Sequence, residues 1–146
     1  MKWKTSFEKK GRNLRQEVSS DKLKLLDTSI LIGLLRGDEN IEEAVSETDE
    51  KLSTCFPVKY ELYRGTKLAR ETEEGEKQVE KLINELEALE ANSKAAKKTS
   101  ELKQEHPEVE LFDLMIAGIC IVHEAEILTR DRDFNKIDKL NKTILE

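Results

Sequence analysis

Cysteine, aromatic side chains, long apolar runs and positive net charge are all scarce or missing in this chain of 146 residues. The only cysteines are Cys55 and Cys120, far apart and in apolar settings. With no CxxC pair and no cysteine–histidine cluster, neither a zinc centre nor a disulfide framework is indicated. Both read as small core residues in a reducing compartment. No apolar run reaches the ~18 residues of a membrane span. The basic N-terminus also lacks the apolar stretch of a signal peptide, so a cytoplasmic location is expected. Aromatics make up 5% of the chain against 38% charged residues, which implies a wet, salt-bridged surface. A net charge of −6 argues against a general polyanion-binding protein. It leaves room for nucleic acid where a local basic patch or a bound cation inverts the field.

The length suits one domain with one core. Residues 1–21 read as a basic N-terminal extension, with Lys2, Lys4, Lys9, Lys10, Arg12 and Arg15 against Glu8 and Glu17. Such a segment is either a solvated terminus or an arm that touches phosphates. Trp3 and Phe7 are spaced to share one helical turn. Residues 22–146 hold the folded part. Lys22–Asp27 reads as a first strand, followed by a buried helix over Ile30–Leu35 that Arg36-Gly37 closes. A short surface helix spans Glu39–Thr48. Lys51–Phe56 alternates as a second strand, and Pro57 opens a helix reaching about Arg70. Thr72–Asn92 is amphipathic at helical spacing, although Leu86–Leu89 also tolerates a strand. A charged helix follows over Lys94–Glu105 and ends at His106-Pro107. His106 and His123 read as surface residues.

The most informative stretch is Leu111–Phe134. A helix from about Leu111 to Glu124 starts with Asp113 in its first turn and is otherwise apolar. Ile127-Leu128-Thr129 is a short buried strand, left through Arg130-Asp131-Arg132-Asp133. Thr143-Ile144-Leu145 suggests an edge strand. Asp27 likewise sits where a strand ends and a helix begins. It is either an N-cap or, since Thr28 and Ser29 cap equally well, free for other work. Glu61 lies one turn into its helix, where its plain role is an ion pair with Arg64.

These segments share a layout. If the strands are parallel, Asp27, Asp131 and Asp133 follow their carboxyl ends, while Glu61 and Asp113 lie on helices beside them. Open α/β sheets collect ligands at that edge. Four or five carboxylates in one cleft cannot all ionise without a cation. Mg²⁺ or Mn²⁺ suits such oxygen donors. The chemistry indicated is metal-assisted hydrolysis of a phosphodiester.

Asp27-Thr28-Ser29 after an apolar strand, Glu61 in YELYRG, Asp113 in FDLMIAG and the run Leu128–Phe134 resemble a PIN-domain nuclease of the VapC toxin type. The resemblance covers about Leu23 to Leu145. It implies a three-layer α/β/α sandwich with a central, mainly parallel sheet over residues 22–146. It further implies an acidic, Mg²⁺-dependent ribonuclease site. By motif match, Asp27, Glu61, Asp113 and Asp131 would be the catalytic and metal-binding quartet, and Asp133 an auxiliary ligand. Thr129 and Ser29 would hold carboxylates or water by hydrogen bonds. The third strand of such a fold would fall near Leu86–Asn92, against the helical pattern there. The partners implied are an RNA substrate, an antitoxin protein and a second copy of the chain in a homodimer, with Arg64, Arg130 and Arg132 as candidate RNA contacts. About twenty residues precede the first strand, more than the family pattern has. The competing functions are an RNA-processing PIN nuclease, a non-catalytic scaffold and a phosphoryl-transfer domain. The last needs a nucleophilic aspartate loop that is not seen here.

Overall fold

The computed structural model describes residues 21–65 and 72–146. The basic extension, apart from Asp21, and the far end of the helix expected to reach Arg70 lie outside the described residues. Five strands form one sheet: β1 (Leu23–Leu26), β2 (Lys51–Cys55), β3 (Glu87–Leu89), β4 (Ala125–Thr129) and β5 (Lys142–Ile144). Their spatial order is β3-β2-β1-β4-β5, and every neighbouring pair is parallel. In the middle of the sheet Leu25 pairs with Ser53 on one side and Ile127 on the other.

The helices are α1 (Thr28–Arg36), α2 (Glu39–Ser46), α3 (Phe56–Gly65), α4 (Glu73–Asn84), α5 (Ser93–Glu105) and α6 (Leu111–Val122). A 3₁₀ turn spans Arg132–Lys136. β1, β2 and β4 are buried almost continuously rather than at every second residue. A parallel sheet with that pattern is covered by helices on both faces, which makes the expected α/β/α sandwich. Leu25, Leu26, Ile127, Leu114, Ala117 and Phe134 sit at its centre, all fully buried.

Local chemistry sets the helix ends. Asp38, Thr72 and Asn92 each accept backbone N–H bonds at their helix starts. Gly37 closes α1 at φ 75°, a conformation that costs glycine little. Gly118 serves packing: a methyl group there would collide with Thr99 Oγ1 on α5 and come within 3.2 Å of the Ala95 carbonyl. The long amphipathic segment does not stay helical to Asn92. α4 stops at Asn84, where Glu85 N–H and Leu86 N–H bond to carbonyls three residues back, and the chain then adds β3 beside β2. Leu86 and Leu89 remain buried, but from a turn and a strand.

Candidate active site

β1 leads to β2 and β3 on one side of the sheet, while β4 and β5 lie on the other. The winding direction therefore changes between β1 and β4, and loops leaving these two strands at their carboxyl ends diverge and leave a crevice. Asp27 follows β1 directly, and Asp131 follows β4 by two residues. The first turn of α6 supplies Asp113, and α3, which leaves the neighbouring β2, supplies Glu61. Carboxylate oxygens of Asp113, Asp131 and Asp133 lie within 4.8 Å of one another. Asp27 and Glu61 stand outside that triplet but share its electrostatics.

Two threonines organise these acids. Thr129 Oγ1 donates to Asp27 Oδ2 at 2.6 Å and accepts from Asp131 N–H at 3.0 Å. Thr28 Oγ1 donates to Glu61 Oε1 at 3.0 Å. Asp27 occupies the N-cap position of α1 but its side chain makes no capping bond. That side chain belongs to the crevice instead. Asp131 caps the 3₁₀ turn by accepting from Asp133 N–H at 2.9 Å. Ser29 Oγ accepts from Arg130 N–H at 3.2 Å and bonds toward Asp27, so it braces both loops.

Three of these acids, Asp27, Glu61 and Asp113, resist ionisation. Burial is the largest influence raising the carboxyl pKa of Asp27, with the charge of Asp131 adding to it against the hydrogen bonds. Glu61 is raised by burial, then by Asp27, Asp131 and Glu110. Asp113 moves furthest, pushed to about 7 by burial and then by Asp131, Asp27, Glu110 and Glu61. Carboxylates so placed favour a cation among them, and their hard oxygen donors fit Mg²⁺ or Mn²⁺.

A model of the PIN domain family matches residues 24–140. The chain belongs to the PIN domain family. Solved structures share its fold. VapBC2 from Rickettsia felis, bound to a DNA fragment from its promoter, matches with a TM-score of 0.72 at 20% identity, over 85% of this chain and 99% of that one. VapBC-1 from nontypeable Haemophilus influenzae matches with a TM-score of 0.72 at 22% identity, over 84% and 97%. VapBC-5 from Mycobacterium tuberculosis, a member of the VapBC family of toxin–antitoxin systems, matches with a TM-score of 0.62 at 23% identity, over 84% and 98%. Comparison with curated proteins gives no sequence match.

This PIN domain thus brings Asp27, Glu61, Asp113, Asp131 and Asp133 to one crevice, with Ser29 and Thr129 between its loops. Sequence reasoning does not find Thr28 as a site residue. Its neighbours mark it only as a possible cap, and its bond to Glu61 spans 33 positions. Glu110 escapes it too, although it lies three residues before Asp113 and adds to the charge on both Asp113 and Glu61. Glu61 bonds to Thr28 in the fold, where sequence spacing suggested Arg64. Arg130 is exposed, and its guanidinium pairs with Asp38 at 3.3 Å and bonds to the Glu146 carbonyl at 3.4 Å. Arg64 and Arg132 are exposed. His106 and His123 are half-buried, not free at the surface; His123 Nε2 bonds to the Glu90 carbonyl at 2.8 Å. Both cysteines are fully buried free thiols, and burial pushes Cys55 up to about 12. Among the described residues no helix is long and apolar enough to cross a membrane.

Proposed function

We propose that this PIN domain is an endoribonuclease dependent on Mg²⁺ or Mn²⁺, and that it is the toxin of a toxin–antitoxin pair. The observation that carries the reading is the convergence of acids from four separate segments at the point where the sheet reverses its winding. Asp113, Asp131 and Asp133, whose carboxylate oxygens lie together, are metal-holding groups along with Asp27, and Glu61 is a further ligand or positions water. A divalent cation held there would acidify water and stabilise charge on the leaving oxygen.

The chain's own residues prepare the reaction. Thr129 fixes one oxygen of Asp27 and, through the Asp131 N–H, the loop after β4. Thr28 holds one oxygen of Glu61 and leaves the other to position the attacking water. Attack of water oxygen on phosphorus, in line with the P–O3′ bond, breaks that bond and leaves a 5′-phosphate and a 3′-hydroxyl. Arg64, Arg130 and Arg132, all exposed, are the arginines that this reading offers as backbone contacts. The VapBC structures support an antitoxin protein as partner, and a homodimer and a cytoplasmic location belong to the same reading.

The test is cleavage of a mixed panel of labelled RNAs with Mg²⁺, with Mn²⁺ and with EDTA. The expected result is metal-dependent cutting that Asp113→Asn abolishes. Cutting in EDTA, or equal cutting by the variant, refutes the assignment. Absence of cutting combined with absence of metal binding in calorimetry indicates a non-catalytic scaffold.

A further inference from the structure

Asp27, Glu61 and Asp131 each accept a hydrogen bond through the carboxylate, from Thr129, Thr28 and the Asp133 N–H respectively. Among the described residues the Asp113 carboxylate accepts none. Its place is therefore set by the backbone of the first turn of α6. That turn has no side-chain cap either, because Glu110 at the N-cap position makes no capping bond. Yet Asp113 meets Asp131 and Asp133, which come from a distant part of the chain, with carboxylate oxygens within 4.8 Å. The start of α6 must be held from outside.

The last turn of α5 reaches it. Lys103 Nζ donates to the Pro107 carbonyl at 3.0 Å and to the Val109 carbonyl at 2.9 Å. A basic side chain at a helix C-terminus ordinarily meets the helix's own last carbonyls. Lys103 instead reaches past the end of α5 at Glu105 and clasps two carbonyls of the connector that leads into Glu110 and α6. On the same helical turn, Glu105 Oε1 accepts from Lys139 Nζ at 2.8 Å. Lys139 stands just beyond the 3₁₀ turn that carries Asp133. One turn of helix thus grips both segments whose acids meet. The body of α5 is seated on α6 as well, with Ala95 and Thr99 lying over Gly118.

We infer that the last turn of α5 positions the metal site, with Lys103 as its principal residue. By clasping the α5–α6 connector, Lys103 holds the first turn of α6, and with it Asp113, in register with Asp131 and Asp133. The Glu105–Lys139 pair ties the opposite segment to the same turn. This role presupposes the metal-bound reading proposed above and adds the part of the chain that keeps the two halves of the site together. Lys103 is a positioning residue and touches neither ion nor substrate. The sign of its effect separates positioning from a simple field. Removing a positive charge near an acidic site favours a cation by charge alone. Loosening Asp113 does the reverse.

The experiment measures Mn²⁺ binding to the full chain by electron paramagnetic resonance of the free ion, with urea unfolding in EDTA alongside. Lys103→Met is expected to weaken Mn²⁺ binding by about tenfold, the low end for losing a group that orients a metal ligand from outside. Lys103→Arg keeps donors on the connector and should recover most of that loss. Lys139→Met cuts the tie on the other side and should weaken binding in the same direction, by less. Lys77→Met removes an equal charge from an exposed pair on α4 and should leave binding unchanged. Cleavage by Lys103→Met should fall at limiting Mn²⁺ and return when Mn²⁺ saturates. Parent-like or tighter binding by Lys103→Met overturns the positioning role while leaving the nuclease reading intact, and so does a loss that Lys103→Arg fails to recover. If Lys103→Met does not fold, parent-like binding by Lys139→Met overturns it instead, since an exposed pair costs little stability. A parent protein that binds no Mn²⁺ overturns the metal reading as well.

Discussion

Asp113→Asn should make the protein more stable in EDTA while removing its activity. The folded state holds the Asp113 carboxyl at about 7 against an ordinary 3.8, with burial the first cause and four neighbouring acids the rest. A carboxyl raised in this way opposes folding wherever it is charged. The opposition is full above about pH 7 and fades as pH falls toward 3.8, because the folded form takes up its proton first. Felt without screening, the difference would amount to about 4 kcal/mol. Asp113 is half-buried, so solvent reduces this to about 1–2 kcal/mol. For a chain of this size that is a rise in Tm of about 3–6 °C. The assay is urea and thermal unfolding of both proteins in EDTA at pH 8 and pH 4.5. The variant's advantage should be present at pH 8 and nearly gone at pH 4.5. Added Mg²⁺ should stabilise the parent through binding to the folded form and leave the variant largely unmoved. A variant no more stable than the parent at pH 8 would refute the view that these acids repel one another in the fold.

Further outcomes test the frame around the site. Thr129→Val keeps the shape but strips a buried Asp27 oxygen and the Asp131 N–H of their partner, so it should cost about 2–4 kcal/mol by urea unfolding and reduce cleavage. Thr143→Val, whose bond to Glu126 is exposed, should change stability far less. Gly118→Ala puts a methyl group into the α5–α6 contact and should cost about 1–3 kcal/mol, read as a lower urea midpoint with an unchanged slope.

Much of this arrangement is legible in the sequence because it depends on local order. Asp27 follows an apolar run and precedes another, and two adjacent hydroxyl residues mark the strand-to-helix switch. Asp113 stands in the first turn of the most apolar helix, and Asp131 and Asp133 follow the strand that helix feeds. β3 is hidden for a physical reason. It is three residues long, only Leu89 of it is buried, and Val79, Leu82, Ile83 and Leu86 set a helical rhythm that runs into it. Tertiary pairing with β2 decides its conformation, and local spacing does not record that. The Thr28–Glu61 bond and the Arg130–Asp38 pair are hidden for another reason. They join residues 33 and 92 positions apart, respectively, that only the folded sheet brings together.

The sheet's borders carry a consequence for association. β3 and β5, the two outer strands, are three residues each. A border that short exposes few free backbone donors and acceptors, so it is a poor template for another strand. A peptide or protein that grips this domain must find its hold on side chains of helices and loops. Recognition by added strands, and the runaway stacking that such edges invite, are both closed off by the same shortness.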